Sequence, residues 1–276
     1  ENVEINDECV VYLELLRYLN TQFIEAKNLG SLIDIDNKYS ESLTKLHIKL
    51  LEKINASDTL AAPAAHKLLP IVEQAILLSI RYDVVVANPP YMGTKGMNAG
   101  LKEFAKKQYP NSKSDLFAIF MERAFNLLTE TGFNAQVNMQ SWMFLSSYEK
   151  MRKSLLDTKT FVTMAHLGAR AFGQISGEIV QTTAWVMRKS YIDDFQPVFF
   201  RLTEGNENEK QQNLKEQNNK YQEIKQADLI KITGTPISYW LSKNIIRKFE
   251  TSDSVGKQGK ALTGLQTGNT ELFLRR

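Results

Sequence analysis

A chain of 276 residues with 43% hydrophobic content can build a real core, and its length suits one large domain or one and a half ordinary ones. Thirty-four Lys and Arg against 31 Asp and Glu leave a net charge of +3, too small to show nucleic-acid binding by itself, so any basic face must be local. Cys9 is the sole cysteine, which excludes a disulfide framework and a cysteine-based zinc site and favours a reducing cytoplasm. His47, His66 and His166 lack ligand spacing, and apolar runs such as "AILLSI" (75–80) fall short of the ~20 residues a membrane span needs.

In chain order, Val10, Leu13, Leu16, Leu19 and Phe23 recur every three to four residues and predict a helix over 10–23, with a second over 43–54. "NASDTLAAPAAHKLLP" (55–70) reads as a loop leading to a helix over 71–79. Residues 1–80 thus form a helical N-terminal segment in which "SLIDI" (31–35) is the one strand candidate. Val84 to Ala87 form a continuous apolar run, as expected of a central strand covered by helices on both sides. A Gly- and Lys-containing loop (93–113) precedes "SDLFAIFMERAFNLLTETG", a helix started by Ser114 or Asp115 and stopped by Gly132. It offers Leu116, Ile119, Phe120, Phe125 and Leu127 for burial. "FNAQVN" (133–138) reads as a strand and "SYEKMRKSLLD" (147–157) as a helix; strands at about 161–167 and 179–188 follow, separated by "GARAFGQISGE". That order is an α/β fold over 81–200, a doubly wound sheet ending in a hairpin.

Residues 206–226 contain ten Asn or Gln and read as a polar, exposed helix or mobile segment with no catalytic part. "TPISYWLSKNIIRKF" (235–249) regains apolar spacing, with Tyr239, Trp240, Ile245, Ile246 and Phe249 as core or interface candidates. The last twenty residues are rich in Gly and Thr, and no internal repeat is present. An initial Glu and a final Arg275-Arg276 after "TGNTELFL" suggest an excised piece of a longer protein.

"YDVVVANPPYMG" (82–93) is the most informative stretch. Two prolines remove two donors from a sheet, so they belong just past its carboxyl edge, where α/β sheets hold ligands. Asn88 offers a carbonyl oxygen and an amide, Pro89 a backbone carbonyl on a stiff frame that Pro90 extends, and Tyr91 an aromatic face. Two acceptors and a ring suit a planar conjugated amine. Holding both N–H bonds draws the nitrogen toward tetrahedral geometry and frees its lone pair to attack an electrophilic methyl group. A neutral hydrogen bond contributes only about 0.5–1.5 kcal/mol net, so the acceptors must be preset in a dry site. A stacked ring adds on the order of 1–3 kcal/mol and helps hold a base outside its helix. On the residues alone, a proline-stiffened turn with a packed tyrosine stays open.

The Asn-Pro-Pro-Tyr stretch resembles the catalytic motif of S-adenosylmethionine-dependent amino-group methyltransferases, above all the DNA adenine-N6 enzymes. The likeness runs through "DLFAIFMERAFNLLTETG" and "HLGARAFGQISGEIVQTTAWVMRK" in family order. The wider context, from "NPPYMG" to "GLQTGNTELF", resembles the large adenine methyltransferases of BREX-type phage defence and their type IIG restriction relatives. The resemblance implies a Rossmann-like methyltransferase sheet with flanking helices and a double-stranded DNA partner. It also implies possible partners among other defence-system proteins, and residues 201–276 as a polar connector leading into target recognition. Carried over by position, Asn88 and Pro89 accept from the adenine amine and Tyr91 stacks on the flipped base. Phe172, in "RAFGQ", packs on that base from elsewhere, and Phe120 packs on the cofactor's adenine. The residues alone leave both phenylalanines open as core.

The pattern departs from the family at the cofactor grip, a Gly-rich turn after the first strand. None of the 14 glycines lies two residues from another, so there is no G-x-G, and the upstream segment reads as helical. The resemblance therefore implies an incomplete sheet lacking cofactor-side strands, half of a methyl-donor pocket, and weak or absent S-adenosylmethionine binding by this stretch alone. Lys95, Lys102, Lys106, Lys107 and Lys113 in the loop 93–113, with Tyr109 and against Glu103, are candidates for clamping the DNA backbone, beside a plain solvated loop. "GTKG" lacks phosphate-loop spacing. A protein-glutamine or RNA-amine methyltransferase and a non-catalytic DNA-binding or assembly module remain as alternative functions.

Overall fold

The computed structural model describes residues 7–56, 61–171 and 180–253, with 257 and 259. In order come α1 (Asp7–Phe23), α2 (Ala26–Leu29), α3 (Ser40–Asn55), α4 (Ala62–Ser79), β1 (Tyr82–Ala87), α5 (Ala99–Gln108), α6 (Leu116–Asn126) and β2 (Leu128–Met139). They are followed by α7 (Glu149–Thr158), β3 (Thr160–Gly168), β4 (Thr182–Arg188), β5 (Val198–Arg201), α8 (Glu207–Lys215), β6 (Lys220–Tyr221), α9 (Gln226–Ile230) and α10 (Lys243–Thr251). Among the described residues, no helix is long and apolar enough to cross a membrane.

Helices α1, α3 and α4 make a cluster of their own around Leu15, Leu19, Leu43, Leu46, Leu50, Val72 and Ala75. The expected stripe of α1 is rotated, since Val10 and Leu13 are exposed. Residues 62–70 are helix rather than the expected loop. Pro63 sits in the first turn, where no amide partner is required, and Pro70 interrupts the ladder once at a cost of roughly 3 kcal/mol. Packing of Ala65, Leu68, Leu69 and Val72 against the other two helices offsets that cost.

"SLIDI" is likewise no strand; it is a 3-10 turn (Gly30–Leu32) followed by extended chain with Leu32, Ile33 and Ile35 buried. Its carbonyls find a side chain instead of a neighbouring strand. The buried Arg123 guanidinium on α6 donates to Ser31 O (3.0 Å), Ile33 O (2.5 Å) and Asp34 Oδ1 (2.7 Å). This one side chain ties the N-terminal helices to the sheet-bearing part.

The sheet has six strands in the order β1-β2-β4-β3-β5-β6. β1 runs parallel to β2, and β3 to β5, while β4 is antiparallel to both of its neighbours, which gives the expected β3–β4 hairpin pairing. Gly132 does not stop α6, which ends at Asn126; it lies inside β2. A Cβ there would meet Asp83 O at 2.9 Å, so β1 and β2 approach too closely for any side chain.

β2 has an inverted polarity. Asn134, Gln136 and Asn138 are buried beneath α6, while Phe133 is 37% exposed on the opposite face. The buried amides form a continuous ladder: Asn134 donates to Met121 O, Gln136 to Phe120 O and Asn134 Oδ1, and Asn138 to Gln136 Oε1. Trp185 Nε1 donates to Asn138 Oδ1 and closes the series. The expectation that β1 is central and covered on both sides is corrected here. β1 is an edge strand, with Val84 54% and Val86 76% exposed. Together with Val137, Ala165, Ala184 and Phe200, Val86 lines an apolar groove of about 410 Å³ on the open face.

The main core lies on the other face, from Phe117, Met121 and Trp142 through Met164 and Trp185 to Tyr239 and Ile246. Three residues of the segment expected to be polar and exposed, Lys210, Ile224 and Gln226, are buried. Gln226 donates to Leu156 O and Lys159 O and accepts from Phe161 N, and Lys210 donates to Leu167 O and Ala169 O. Of the apolar candidates at 235–249, Tyr239 and Ile246 are buried, whereas Ile245 and Phe249 stay exposed.

Candidate active site

The carboxyl ends of β1, β2, β3 and β5 and the amino end of β4 share one edge of the sheet. Asn88-Pro89-Pro90-Tyr91 leaves β1 at this edge, with Asn88 and Pro90 exposed, Pro89 buried and Tyr91 half-buried. The Tyr91 hydroxyl lies 3.4 Å from both Asn88 Oδ1 and Val137 O, so its single proton is shared between two long contacts. The ring meets Phe117 edge-on, with centroids 6.0 Å apart, and burial pushes the Tyr91 phenol up. Asn88 Oδ1 and the Pro89 carbonyl come from adjacent residues of one stiff turn, as two acceptors for one amine require.

Asp115 anchors the exit of this turn. Its carboxylate caps α6 by accepting from Phe117 N (3.2 Å) and also accepts from Met92 N (2.9 Å), while Leu116 N returns a bond to Met92 O (3.0 Å). Burial pushes the Asp115 carboxyl up. Asp115→Ala is expected to cost about 1–2 kcal/mol in thermal unfolding, because it removes an N-cap and the hold on Met92 together. Asp115→Asn keeps an acceptor at the cap and should fall within a few tenths of the parent; equal loss in both variants would refute the anchoring role.

Asn88, Pro89 and Tyr91 are therefore brought together, but the aromatic that touches Tyr91 is Phe117. Phe120, one turn on, is half-buried against the cluster of Leu32, Met97 and Leu101. Phe172 lies outside the described residues. The expected lysine loop contains α5, capped by Asn98 Oδ1 accepting from Leu101 N and buried through Leu101, Ala105 and Tyr109. Its lysines divide between a turn (Lys95), the helix (Lys102, Lys106, Lys107) and the approach to α6 (Lys113). Lys106 and Lys107 occupy the last turn of α5, where cations also complement the helix dipole.

A second polar chain at the same edge went unread in the sequence. His166, at the end of β3, is 5% exposed; Gln140 Oε1 lies 2.6 Å from Nε2 and the Tyr239 hydroxyl 3.0 Å from Nδ1. Nε2–H donates to the amide oxygen, and Nδ1 accepts from the phenol. Burial, with Arg201 and Lys210 nearby, lowers the His166 pKa to about 4. The unfolded chain thus takes up a proton near pH 6.5 that the folded chain refuses until about pH 4, so stability is full above 6.5 and falls as pH drops through that window. Between pH 7 and 5 the parent should lose about 2 kcal/mol more than His166→Gln in denaturant titrations. Parallel pH profiles would show that the imidazole is not held neutral.

A mixed α/β sheet with flanking helices that delivers Asn-Pro-Pro-Tyr to its carboxyl edge defines a Rossmann-like domain of the methyltransferase type. The chain belongs to the Eco57I restriction-modification methylase family, whose model matches residues 3–172. It is 53% identical over 272 residues to "Adenine-specific methyltransferase BrxX" of Escherichia coli O9:H4 (strain HS), a match covering 98% of this chain and 22% of that protein. It is 36% identical over 265 residues to "Adenine-specific methyltransferase PglX" of Lacticaseibacillus casei (strain Zhang), covering 92% of this chain and again 22% of the relative. The chain thus spans about a fifth of the length of these relatives. Among solved structures, a type I restriction-modification methyltransferase subunit from Streptococcus thermophilus aligns at 16% identity and TM-score 0.41, over 58% of this chain and 37% of that one.

Proposed function

We propose that this chain forms the base-binding half of a DNA adenine-N6 methyltransferase. The observation that carries the reading is the Asn88–Tyr91 turn at the carboxyl end of β1, with two acceptors and a ring on one rigid exit. The names of the BrxX and PglX relatives support it, since both are adenine-specific methyltransferases, and the matching family is one of restriction-modification methylases. S-adenosylmethionine, when bound, supplies the electrophilic methyl group. Asn88 Oδ1 and Pro89 O hold the two N–H bonds of the adenine amine and orient its lone pair. Tyr91 turns its ring to the flipped base, and the family resemblance assigns Phe172, outside the described residues, to pack on the same base. Phe120 and the Asn88 backbone border the donor side.

The donor's own grip is completed by residues outside this chain. Among the described residues β1 has no strand partner on its outer edge, and Val84 and Val86 are exposed; both support this, because an apolar sheet face left to water is a poor final state. Lys95, Lys102, Lys106, Lys107 and Lys113 face the DNA backbone, the enzyme works in the cytoplasm, and other defence proteins are its partners. Asn88→Ala in the full-length protein tests the reading through genomic N6-methyladenine in the expressing cells. Loss of the mark is expected; a persisting mark would overturn the assignment.

A further inference from the structure

A further cleft opens at the β6 end of the sheet. It encloses about 470 Å³ between β6 and the chain entering α10, and its walls include Lys220, Tyr221, Tyr239, Trp240 and Lys243. β6 is separated from β1 by five strand spacings, roughly 24 Å, and none of Asn88–Tyr91 is among the lining residues of this cleft.

Its aromatic wall is rigidly built. Trp240 is half-buried, with the Tyr239 ring edge-on at 5.0 Å, Phe144 at 5.9 Å and the Arg201 guanidinium 5.0 Å from its ring centroid. Beneath it, buried Arg152 donates to Gly234 O and Thr235 O on one side and to Trp142 O and Leu145 O on the other. Ile237 N donates to Met143 O and ties the same two segments together. A fixed indole that keeps an open portion presents a stacking plane at little entropic cost.

The charge of the cleft adds to this chemistry. Lys220 and Lys243 are exposed on its rim and Arg201 lies against its tryptophan, whereas Glu223 is the one carboxylate among its lining residues. A planar ring beside two ammonium groups matches a nucleotide, with the base on Trp240 and Tyr221 and the phosphate toward the lysines. We propose that the cleft beside Trp240 binds one nucleotide unit, either a free mononucleotide or one residue of a nucleic-acid strand.

Fluorescence reads this site directly. Of the three tryptophans in these 276 residues, Trp142 and Trp185 are 0% and 2% exposed, and in the full-length protein the quenching that Trp240→Phe abolishes is the signal of Trp240. The full-length protein is titrated with AMP, with ATP, and with a short oligothymidylate. Saturable quenching by AMP or ATP assigns a free nucleotide; quenching by the oligonucleotide alone assigns a strand. By calorimetry, Trp240→Ala should weaken that ligand roughly tenfold, and Lys220→Ala with Lys243→Ala should lower both affinity and its salt dependence. Both lysines are exposed, so the double variant keeps the parent's fold. Absence of quenching by every probe, or unchanged affinity in the lysine variant, overturns the proposal. Methylation by Asn88→Ala is a separate readout, so failure of the cleft and failure of the catalytic reading are told apart.

Discussion

Asn88→Ala in the full-length protein is expected to lower kcat for methyl transfer by about 10²–10³ while leaving DNA affinity nearly unchanged. In the proposed role the carboxamide oxygen is one of two acceptors for the amine, and its gain is realised as the nitrogen leaves the plane of the ring. Asn88 is exposed and its one described side-chain partner is the Tyr91 hydroxyl at 3.4 Å, so its removal should shift folding stability by no more than about 0.5 kcal/mol. Asn88→Asp retains an acceptor oxygen at the same place and should lose less than alanine. Tyr91→Phe frees Asn88 Oδ1 from its long contact and keeps the ring, so near-parental turnover is expected, whereas Tyr91→Ala forfeits about 1–3 kcal/mol of stacking. A rapid-quench measurement with labelled donor and duplex DNA separates these effects. A loss for Asn88→Ala carried wholly in KM would show that the side chain only helps to bind.

The legible parts of the fold were those in which local pattern and tertiary role agree. The valines before Asn88 read as a strand and the prolines as its exit, because proline cannot donate to a ladder wherever the sheet lies. The edge position of β1 was not legible: a run of valines looks the same under a helix and on a face left open. Residues 62–70 misled because two prolines signal a break, while their burial against two other helices is a tertiary effect. Alternation in β2 was visible, but which side faces the core was not. The buried amides of Asn134, Gln136 and Asn138 are stable only because each finds a partner that is distant in sequence or beside it on the strand. At the site, Asp115 read as a helix start; that it also holds Met92 depends on a contact spanning 23 positions. Arg123 and Arg152 carry no sequence signal, since nothing local marks an arginine whose partners are carbonyls.

Arg152→Ala should cost the protein about 3–5 kcal/mol. The guanidinium is 1% exposed and binds main-chain carbonyls throughout: Trp142 O at 2.8 Å, Leu145 O at 2.6 Å, Gly234 O at 2.7 Å and Thr235 O at 3.0 Å. Alanine leaves those four acceptors without their donor and opens a void between the segment after β2 and the chain leading to Tyr239. Lysine restores the charge but has no planar fork, so it satisfies part of the set and should recover less than half of the loss. Because these segments carry Phe144 and Trp240, loosening them should also broaden near-ultraviolet circular dichroism and redshift tryptophan emission before global unfolding. Leu155→Ala, on the same helix and equally part of the core, serves as the comparison: it should lower stability by about 2–5 kcal/mol through a cavity alone, with the aromatic signals intact until the main transition. If Arg152→Ala unfolds in one step with aromatic signals like those of Leu155→Ala, the arginine is only another core contact and the two segments are held by packing.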